Sequence, residues 1–397
     1  MMLVAGLLTA YTLVALAYWL LMLYGVVRLR RDVRRLDRLD PPAPGRWPRL
    51  SVIVPACDEA DEIEPAARTL LNEDYPDLEL IFVDDRSTDS TGEIIDRLAA
   101  EDPRIKVIHV AELPEGWLGK VNALNRGLAE STGEFVLLTD ADVHFTRGVL
   151  RKAVAHCEAE RLDHLAALPT LWRTSVLVGS VLGSFLRQFL VATRPWAVRD
   201  ARSRAYIGIG AFNLVRRSAF EATPGFEWLR LETADDMGVG MMMKRSGARC
   251  DIVAAFGLLG LHWYRTFRDA ARGAEKGYAS AAGCSLVQVV IRALIGLALE
   301  TAPILAPAAA VLCGSWVVGG GAAAVVAAFL ASSILLARWA GARILPLPVL
   351  LGPLAAVVNA AAFLRCGWVG WRRGGVVWRG TLYPAEQLRE GRRIRIP

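Results

Sequence analysis

Hydrophobic and polar positions divide the 397-residue chain into three regimes. Residues 2–27 are apolar apart from Thr and Tyr, and a run of roughly 20 apolar residues is long enough to cross a bilayer. From Leu50 the pattern changes to short apolar runs at 51–55, 78–83, 105–110 and 135–139, separated by helix-like stretches near 63–72, 88–100 and 120–130. Runs without clean alternation fit strands buried on both faces, and the strand–helix alternation predicts an α/β domain with a mostly parallel sheet. Beyond residue 283 long apolar stretches return.

The region after Val143 is harder to read. Val178, Val181, Leu182, Phe185, Phe189 and Leu190 have helical spacing. Arg187, Arg194 and Arg199 favour a helix lying in the membrane interface over a core helix. Farther on, Gln288, Arg292 and Glu300 share a stripe with Gly296, so 285–301 is expected to be interfacial or partly embedded. Residues 302–337 allow two short spans broken at Gly319-Gly320-Gly321, and 345–364 form another run disturbed by Pro346, Pro348 and Pro353.

Charge orients these segments. No basic residue precedes the first apolar run, and that run continues past Ala15-Leu16-Ala17, which argues for an uncleaved anchor. Arg28, Arg30, Arg31, Arg34, Arg35 and Arg38 follow at once and place the next domain in the cytoplasm. Three C-terminal spans would put the basic tail outside. Two spans, with one run re-entrant or interfacial, keep Trp378, Arg379 and 392–395 inside. The expected division is a transmembrane anchor at 1–27, a basic linker at 28–49 with a Pro-rich stretch at 41–45, and a catalytic domain at 50–282. Interfacial and transmembrane helices at 283–366 and a basic tail at 367–397 complete it. The protein is expected in the inner cell membrane as a multi-pass protein.

The chain is 54% hydrophobic with a formal charge of +6 and a mean hydropathy of +0.33. The arginines cluster beside apolar segments, which argues against a nucleic-acid partner. The six cysteines form no CxxC pair and no metal-ligand spacing; they read as free thiols in a reducing compartment.

Candidate chemistry gathers where the strands end. Asp58-Glu59, Asp84-Asp85 and Asp140-Ala141-Asp142 follow the first, second and fourth runs, and open α/β sheets bind ligands at the carboxyl ends of their strands. Ser87, Thr88 and Asp89 suit helix capping. Capping does not explain acids at three strand ends, which would repel one another without a cation or base to bind. Asp140 and Asp142 lie on one face if the strand continues, or in a chelating loop if it turns. Either suits a hard divalent cation, Mg2+ or Mn2+. No G-x-G-x-x-G or Walker loop is present.

Four motifs then appear in order: Ser51-Val-Ile-Val-Pro55, Val83-Asp84-Asp85-x-Ser87-x-Asp89-x-Thr91, Gly119-Lys120-x-x-Ala123-x-x-x-Gly127 and Thr139-Asp140-Ala141-Asp142. Over about residues 50–250 the chain resembles the inverting glycosyltransferases of family 2, with a GT-A Rossmann-like nucleotide-sugar-binding fold. The resemblance implies that Pro55, Ala56, Glu59, Asp84 and Asp85 surround the nucleoside. It places Asp140 and Asp142 at the diphosphate, with Asp142 the direct metal ligand. Asp58 stands where the family usually has Asn. Lys120 is expected to neutralise phosphate, and Gly210, in Gly208-Ile209-Gly210-Ala211-Phe212-Asn213, to lie beside the sugar and acceptor. Asp236 aligns with the family's catalytic base, and Asp235 replaces the usual Glu. Where many membrane relatives carry Gln-x-x-Arg-Trp, this chain has His262-Trp263-Tyr264-Arg265 and Arg272-Gly273-x-Glu275-Lys276-Gly277, and its tail Val377-Trp378-Arg379-Gly380-x-x-Tyr383 is similar to that of smaller lipid- or carotenoid-modifying members; Arg379 and Arg272 are candidates for contacting the nucleotide or a lipid head group.

These roles imply a membrane-bound enzyme that moves a single sugar from a nucleotide-sugar donor to a hydroxyl of a lipophilic acceptor in the bilayer. Two alternatives stay open. One is a processive polysaccharide synthase, although the Gln-x-x-Arg-Trp motif typical of that group is absent. The other is a catalytically inert sugar-nucleotide-binding membrane scaffold.

Overall fold

The computed structural model describes residues 2–341 and 347–394. Leu345, Pro346 and Arg395, used above to read the C-terminal segments, lie outside them. The chain begins with α1 (Met2–Asp32), whose last turn carries Arg30 and Arg31. At 1.5 Å per residue its 31 residues reach about 46 Å. The helix therefore continues past Val27 through the first arginines of the expected linker. β1 (Arg34–Arg35) follows and joins the edge of the main sheet.

The first half of the α/β domain is built as the pattern predicts. β2 (Leu50–Ala56), β3 (Leu78–Asp85), β4 (Ile105–Val110) and β5 (Phe135–Leu138) pair in parallel, with α2 (Ile63–Leu71), α3 (Thr91–Glu101) and α4 (Gly119–Glu130) between them. β3 is buried along its whole length and β2 nearly so, which is why their sequences lack a polar stripe. β2 lies between β3 and β5. The chain therefore winds outward through β3 and β4, then returns to the other side of β2. That reversal opens a crevice at the carboxyl ends of β2 and β5.

The second half completes the sheet. β6 (His144–Phe145), α5 (Val149–Glu160), β7 (His164–Leu168), β8 (Thr170–Leu171) and α6 (Val176–Thr193) lead to β9 (Asn213–Arg216). After the short helices α7 (Arg217–Glu221) and α8 (Gly225–Leu229) come α9 (Asp235–Arg245), β10 (Cys250–Ala254) and β11 (Leu259–Leu261). The eight-stranded order is β1-β10-β7-β9-β5-β2-β3-β4. β9 runs antiparallel to both neighbours, so the sheet is mixed. A small sheet, β6-β11-β8, sits beside it.

α10 (Phe267–Gly273) and α11 (Lys276–Ser280) lead into the apolar third. It comprises α12 (Leu286–Glu300), α13 (Ala302–Cys313), α14 (Trp316–Trp339), α15 (Leu347–Leu350) and α16 (Gly352–Arg373). Among the described residues, α1, Val176–Ala197, α14 and α16 are each long and apolar enough to cross a membrane, and α12 with α13 forms a pair bent by 66°. The break expected at Gly319-Gly320-Gly321 falls elsewhere. Those glycines lie inside α14, and the chain turns at Gly314, whose φ of 60° closes α13. Pro353 does not disturb α16 either; it sits in the first turn, where the missing N–H costs nothing. α16 continues past residue 366, the expected edge of the tail, to Arg373.

The interfacial stripe expected around Glu300 is also different. Glu300 is fully buried. Its carboxylate accepts hydrogen bonds from Tyr18, from Arg187 and from Ser184 (3.0 Å), while Trp19 lies under the Arg187 guanidinium at 4.8 Å. The helix bend therefore follows a carboxylate whose ion-pair partner lies 113 residues earlier in the chain.

The chain ends in a hairpin, β12 (Gly375–Trp378) and β13 (Thr381–Pro384), and α17 (Ala385–Gly391). Trp378 pairs with Thr381, leaving Arg379 (φ 46°) and Gly380 (φ 75°) as the two turn residues. Two positive φ values are what a tight primed hairpin turn requires.

Candidate active site

The site forms at the carboxyl ends of β2, β3 and β5, under the N-terminal ends of α4 and α9. Pro55 and Ala56 finish β2, and Ala56 pairs with Asp84 of β3. Adjacent strand residues face opposite ways, and the two acids ending β3 divide accordingly. Asp85 is buried on the cleft side and paired with Arg86 at 2.9 Å. Its carboxylate lies so close to α4 that a Cβ on Gly119 would sit 2.1 Å from Oδ2. Asp84 instead faces His109, 3.0 Å away, and accepts from the Ser87 N–H at 3.3 Å.

β5 ends at Leu138, so the strand does not continue through the acidic pair; Asp140 and Asp142 sit in a turn. Thr139 holds that turn by donating its hydroxyl to the Ala211 carbonyl at 2.8 Å, and the Asp140 N–H donates to the Gly210 carbonyl at 3.1 Å. Gly210 is required there because a Cβ would lie 2.5 Å from Asp140 Oδ2. Its N–H donates to Asp236 Oδ2 at 3.0 Å, which links the glycine loop to the start of α9. Asp236 Oδ1 accepts from the Met237 N–H at 2.7 Å, and Asn213 donates to the Asp236 carbonyl at 3.2 Å.

Lys120, in the first turn of α4, joins the two acidic groups. Its Nζ lies 2.6 Å from Asp140 and 3.3 Å from Asp235. Burial opposes its charge, but the carboxylates of Asp140, Asp235 and Asp236 outweigh burial and hold its pKa above the ordinary lysine value. Asp140 is lowered: burial acts against it, and Lys120 prevails. Asp142 is pushed up to about 7, first by burial and then by Asp140 and Glu59. Asp236 is pushed up to about 6, by burial and then by Asp235. Carboxyl groups pushed apart in this way take different protonation roles. Glu59, raised by burial, is paired with Arg379 at the hairpin tip.

The donor set fits a divalent cation of one particular kind. Asp140 and Asp142 are two carboxylates of one turn, and Asp142 is raised by burial first and by the charge of Asp140 second. Among the described residues no cluster of three or more Asp, Glu, His or Cys ligands is present. Mg2+ is characteristically held by one or two carboxylates with phosphate oxygens completing the shell. The pair suits such an ion and not an all-protein cage.

Most of the predicted site residues therefore surround one cleft: Glu59, Asp85, Lys120, Asp140, Asp142, Gly210, Asp235, Asp236 and Arg379, with Pro55 and Ala56 at its strand end. Asp84 is turned away, and Arg272 is exposed at the end of α10. Two contributors escaped the sequence reading. Arg86 partners Asp85 and reaches Thr381 of the hairpin at 3.5 Å. Lys276 lines the cavity shared by Lys120, Asp235, Thr233, Trp378 and Tyr383. The motifs assign neither a role. The resemblance pointed to the tail that covers them, where the Tyr383 hydroxyl accepts from the Gly119 N–H at 3.3 Å. Asp58 (φ 53°), Arg86 (φ 59°) and Arg379 (φ 46°) all bear left-handed backbones at this edge, a strained conformation that concentrates at functional sites.

Residues 51–224 match the family described as Glycosyl transferase family 2. Residues 51–224 thus have the sequence of a family 2 glycosyltransferase domain. Over 103 residues it is 37% identical to the GalNAc(5)-diNAcBac-PP-undecaprenol beta-1,3-glucosyltransferase of Campylobacter jejuni, covering 26% of this chain and 32% of that protein. Over 112 residues it is 35% identical to a beta-monoglucosyldiacylglycerol synthase of Synechocystis, covering 28% and 23%. The matched stretches thus span about a quarter to a third of these relatives. The fold is similar to that of a Pyrobaculum calidifontis mannosyltransferase solved with GDP-Man and Mn2+. That likeness has a TM-score of 0.52 at 22% identity and covers 92% of this chain and 99% of the other. The glycosyltransferase domain is a GT-A-like mixed α/β fold accompanied by apolar helices at both ends of the chain.

Proposed function

We propose that the protein is a membrane-bound inverting glycosyltransferase. It transfers one sugar from a nucleotide-sugar donor to a hydroxyl of a lipophilic acceptor, with its catalytic domain in the cytoplasm. The observation that carries this reading is Asp236. It is a carboxyl group pushed up to about 6, fixed by two backbone N–H groups and linked through Gly210 to the Lys120–Asp140 pair. A general base works best when its pKa lies near the working pH.

Glu59, Asp85 and the end of β2 would hold the nucleoside. Asp140 and Asp142 would hold Mg2+ or Mn2+, which supplies Lewis-acid stabilisation of the diphosphate when bound. Lys120, held beside Asp140, neutralises charge on the departing group. Asp236 takes the proton from the acceptor hydroxyl as its oxygen bonds to the anomeric carbon. The bond from that carbon to the diphosphate breaks, and the diphosphate leaves with its electron pair. One displacement inverts the centre. The lipid-acting relatives support a lipophilic acceptor, as do apolar helices packed against the domain.

The test is transfer by detergent-solubilised protein from a panel of nucleotide sugars to total membrane lipid, with Mn2+, Mg2+ or EDTA. The expected result is a lipid bearing one sugar that depends on the metal and disappears in Asp236→Asn. Polymer product would refute single transfer. Donor binding without turnover, alike in wild type and variant, would refute the enzyme.

A further inference from the structure

The catalytic cleft contains a cation that neither the motifs nor the comparisons assign. Lys276 opens α11, and its Nζ lies 3.6 Å from the centre of the Trp378 ring on the C-terminal hairpin. It shares a cavity with Lys120 and Asp235. Among the described residues its ammonium makes no ion pair and no hydrogen bond. The neighbouring Glu275 is turned the other way, to Arg365 at 3.1 Å and Arg373 at 3.4 Å.

Burying an ammonium without an anionic partner is costly. Trp378 offsets part of that cost through its ring face. Burial, followed by the nearby charge of Lys120, pushes Lys276 down to about 8. The other cations at the cleft are engaged: Lys120 by Asp140 and Asp235, Arg86 by Asp85, Arg379 by Glu59. A nucleoside diphosphate brings additional negative charge, and Lys276 is the cation in this cavity with no carboxylate of its own.

We propose that Lys276 binds the diphosphate of the donor, and that Trp378 is the positioning residue that holds it there. The inference rests on the glycosyltransferase reading above. It makes the C-terminal hairpin part of the donor site: a strand pair 255 residues beyond Lys120 in sequence supplies the platform for a second phosphate-binding lysine.

The experiment measures binding of UDP, GDP and their nucleosides to full-length wild type, Lys276→Met and Lys276→Arg by calorimetry in detergent. A charge-assisted hydrogen bond is worth about 10-fold or more in affinity. Lys276→Met should weaken the bound diphosphate by at least about that factor and leave its nucleoside within about twofold; Lys276→Arg should restore most of the loss. Equal binding by Lys276→Met, or equal losses for diphosphate and nucleoside, would overturn the inference and leave the enzyme reading standing. Wild type that binds neither diphosphate would overturn both. Should Lys276→Met fail to fold, acetylation of Lys276 in wild type by an activated ester, followed by mass spectrometry, takes its place. Bound nucleoside diphosphate should slow it; an unchanged rate, or protection by a polyprenyl monophosphate alone, would overturn the donor assignment.

Discussion

Asp236→Asn separates chemistry from architecture at this site. The Asp236 carboxyl is pushed up to about 6 because burial, and then the neighbouring Asp235, disfavour its charged form. A base must be ionised to act, so its contribution is present above that value and lost as the pH falls through it. With an apparent pKa of about 6, some 90% of the group is charged at pH 7 and roughly 10% at pH 5. Wild-type kcat/KM should therefore drop about tenfold between pH 7 and pH 5, with the slope of a single proton. Asparagine keeps the shape but can accept only one of the bonds from Gly210 and Met237, and its amide faces the other donor. That costs about 1–3 kcal/mol locally, partly offset by removing a buried charge beside Asp235. The rate should fall about 10²–10⁴-fold, or about 3–5 kcal/mol in barrier, and the residual rate should lose its pH dependence below neutrality. The assay is initial-rate formation of glycosylated lipid from pH 5 to 8, with thermal melting as a control for folding. A variant that retains the wild-type limb, or a wild type flat from pH 5 to 7, would refute the assignment.

Glu79 is buried and accepts from Ser51, from Thr132 N–H and Oγ1 at 2.5 and 2.9 Å, and from Lys106 at 3.1 Å. Burial opposes its charge, but these bonds prevail and lower its carboxyl to about 2. Its stabilisation is present above the unfolded value near 4.3 and lost as the pH falls toward 2; Glu79→Gln should cost up to about 3 kcal/mol at pH 7 and nearly nothing at pH 2, read by chemical denaturation. Glu300→Leu should destabilise the helix bundle by about 3–5 kcal/mol by leaving Arg187 buried without its carboxylate, and Arg187→Met combined with Glu300→Leu should recover much of the loss in a thermal-shift assay. Cys313, at the end of α13, should react with an impermeant maleimide on intact cells, and Cys57 at the cleft only after permeabilisation; the reverse pattern would refute a cytoplasmic catalytic domain.

The parts of the fold built from local pattern were legible in the sequence. β2, β3 and β5 are nearly continuous apolar runs because the sheet is covered on both faces there, and the acids after them stand out against that background. β9 was not legible. Its Asn213-Leu-Val-Arg216 is too short to carry a period, and its antiparallel insertion between β5 and β7 depends on partners 75–81 and 47–51 residues earlier. The glycine triplet was misread because glycine breaks an isolated helix but is tolerated in a packed one; Gly321 lies against Thr12 of α1. Glu300 looked like an interfacial residue because Arg187 and Tyr18, which bury it, are remote in sequence. At the site, Lys120, Asp140 and Asp236 could be named through the family resemblance. Lys276 could not, since its partner is the face of Trp378, about a hundred residues away, and no spacing encodes that contact.

The ends of the helices decide how this site meets a membrane. α6 is long enough to cross, yet both its ends are tied to the α/β domain. Thr174 donates to the Arg265 carbonyl at one end (3.2 Å); at the other, Arg199 pairs with Glu160, and Lys244 donates to the Val198 and Asp200 carbonyls. A crossing would separate those ends by the roughly 30 Å of the hydrocarbon core. α16 is constrained in the same way. Before it, α14 ends at Trp339, which packs on Phe256 and accepts a hydrogen bond from Arg35; after it comes the hairpin over the cleft. On the membrane-bound reading proposed above, α1, the bent α12–α13 pair and α14 would be the crossings. α1 and α14 run the same way, Thr12 beside Gly321 and Trp19 against Phe329, and both arrive at the domain, while α12–α13 leaves it. This arrangement gathers Arg30, Arg31, Arg372 and Arg373 on the domain's side, as the positive-inside rule requires of a cytoplasmic face. α6 and α16, joined by the bond from Asn359 to the Val181 carbonyl at 3.2 Å, then form a shelf at the interface. The exposed Phe185 and Trp263 meet there at 5.7 Å. On the glycosyltransferase reading proposed above, that shelf is where a lipophilic acceptor would rest its chain, which gives a physical reason for one chain to combine an α/β sheet with apolar helices tied to it at both ends.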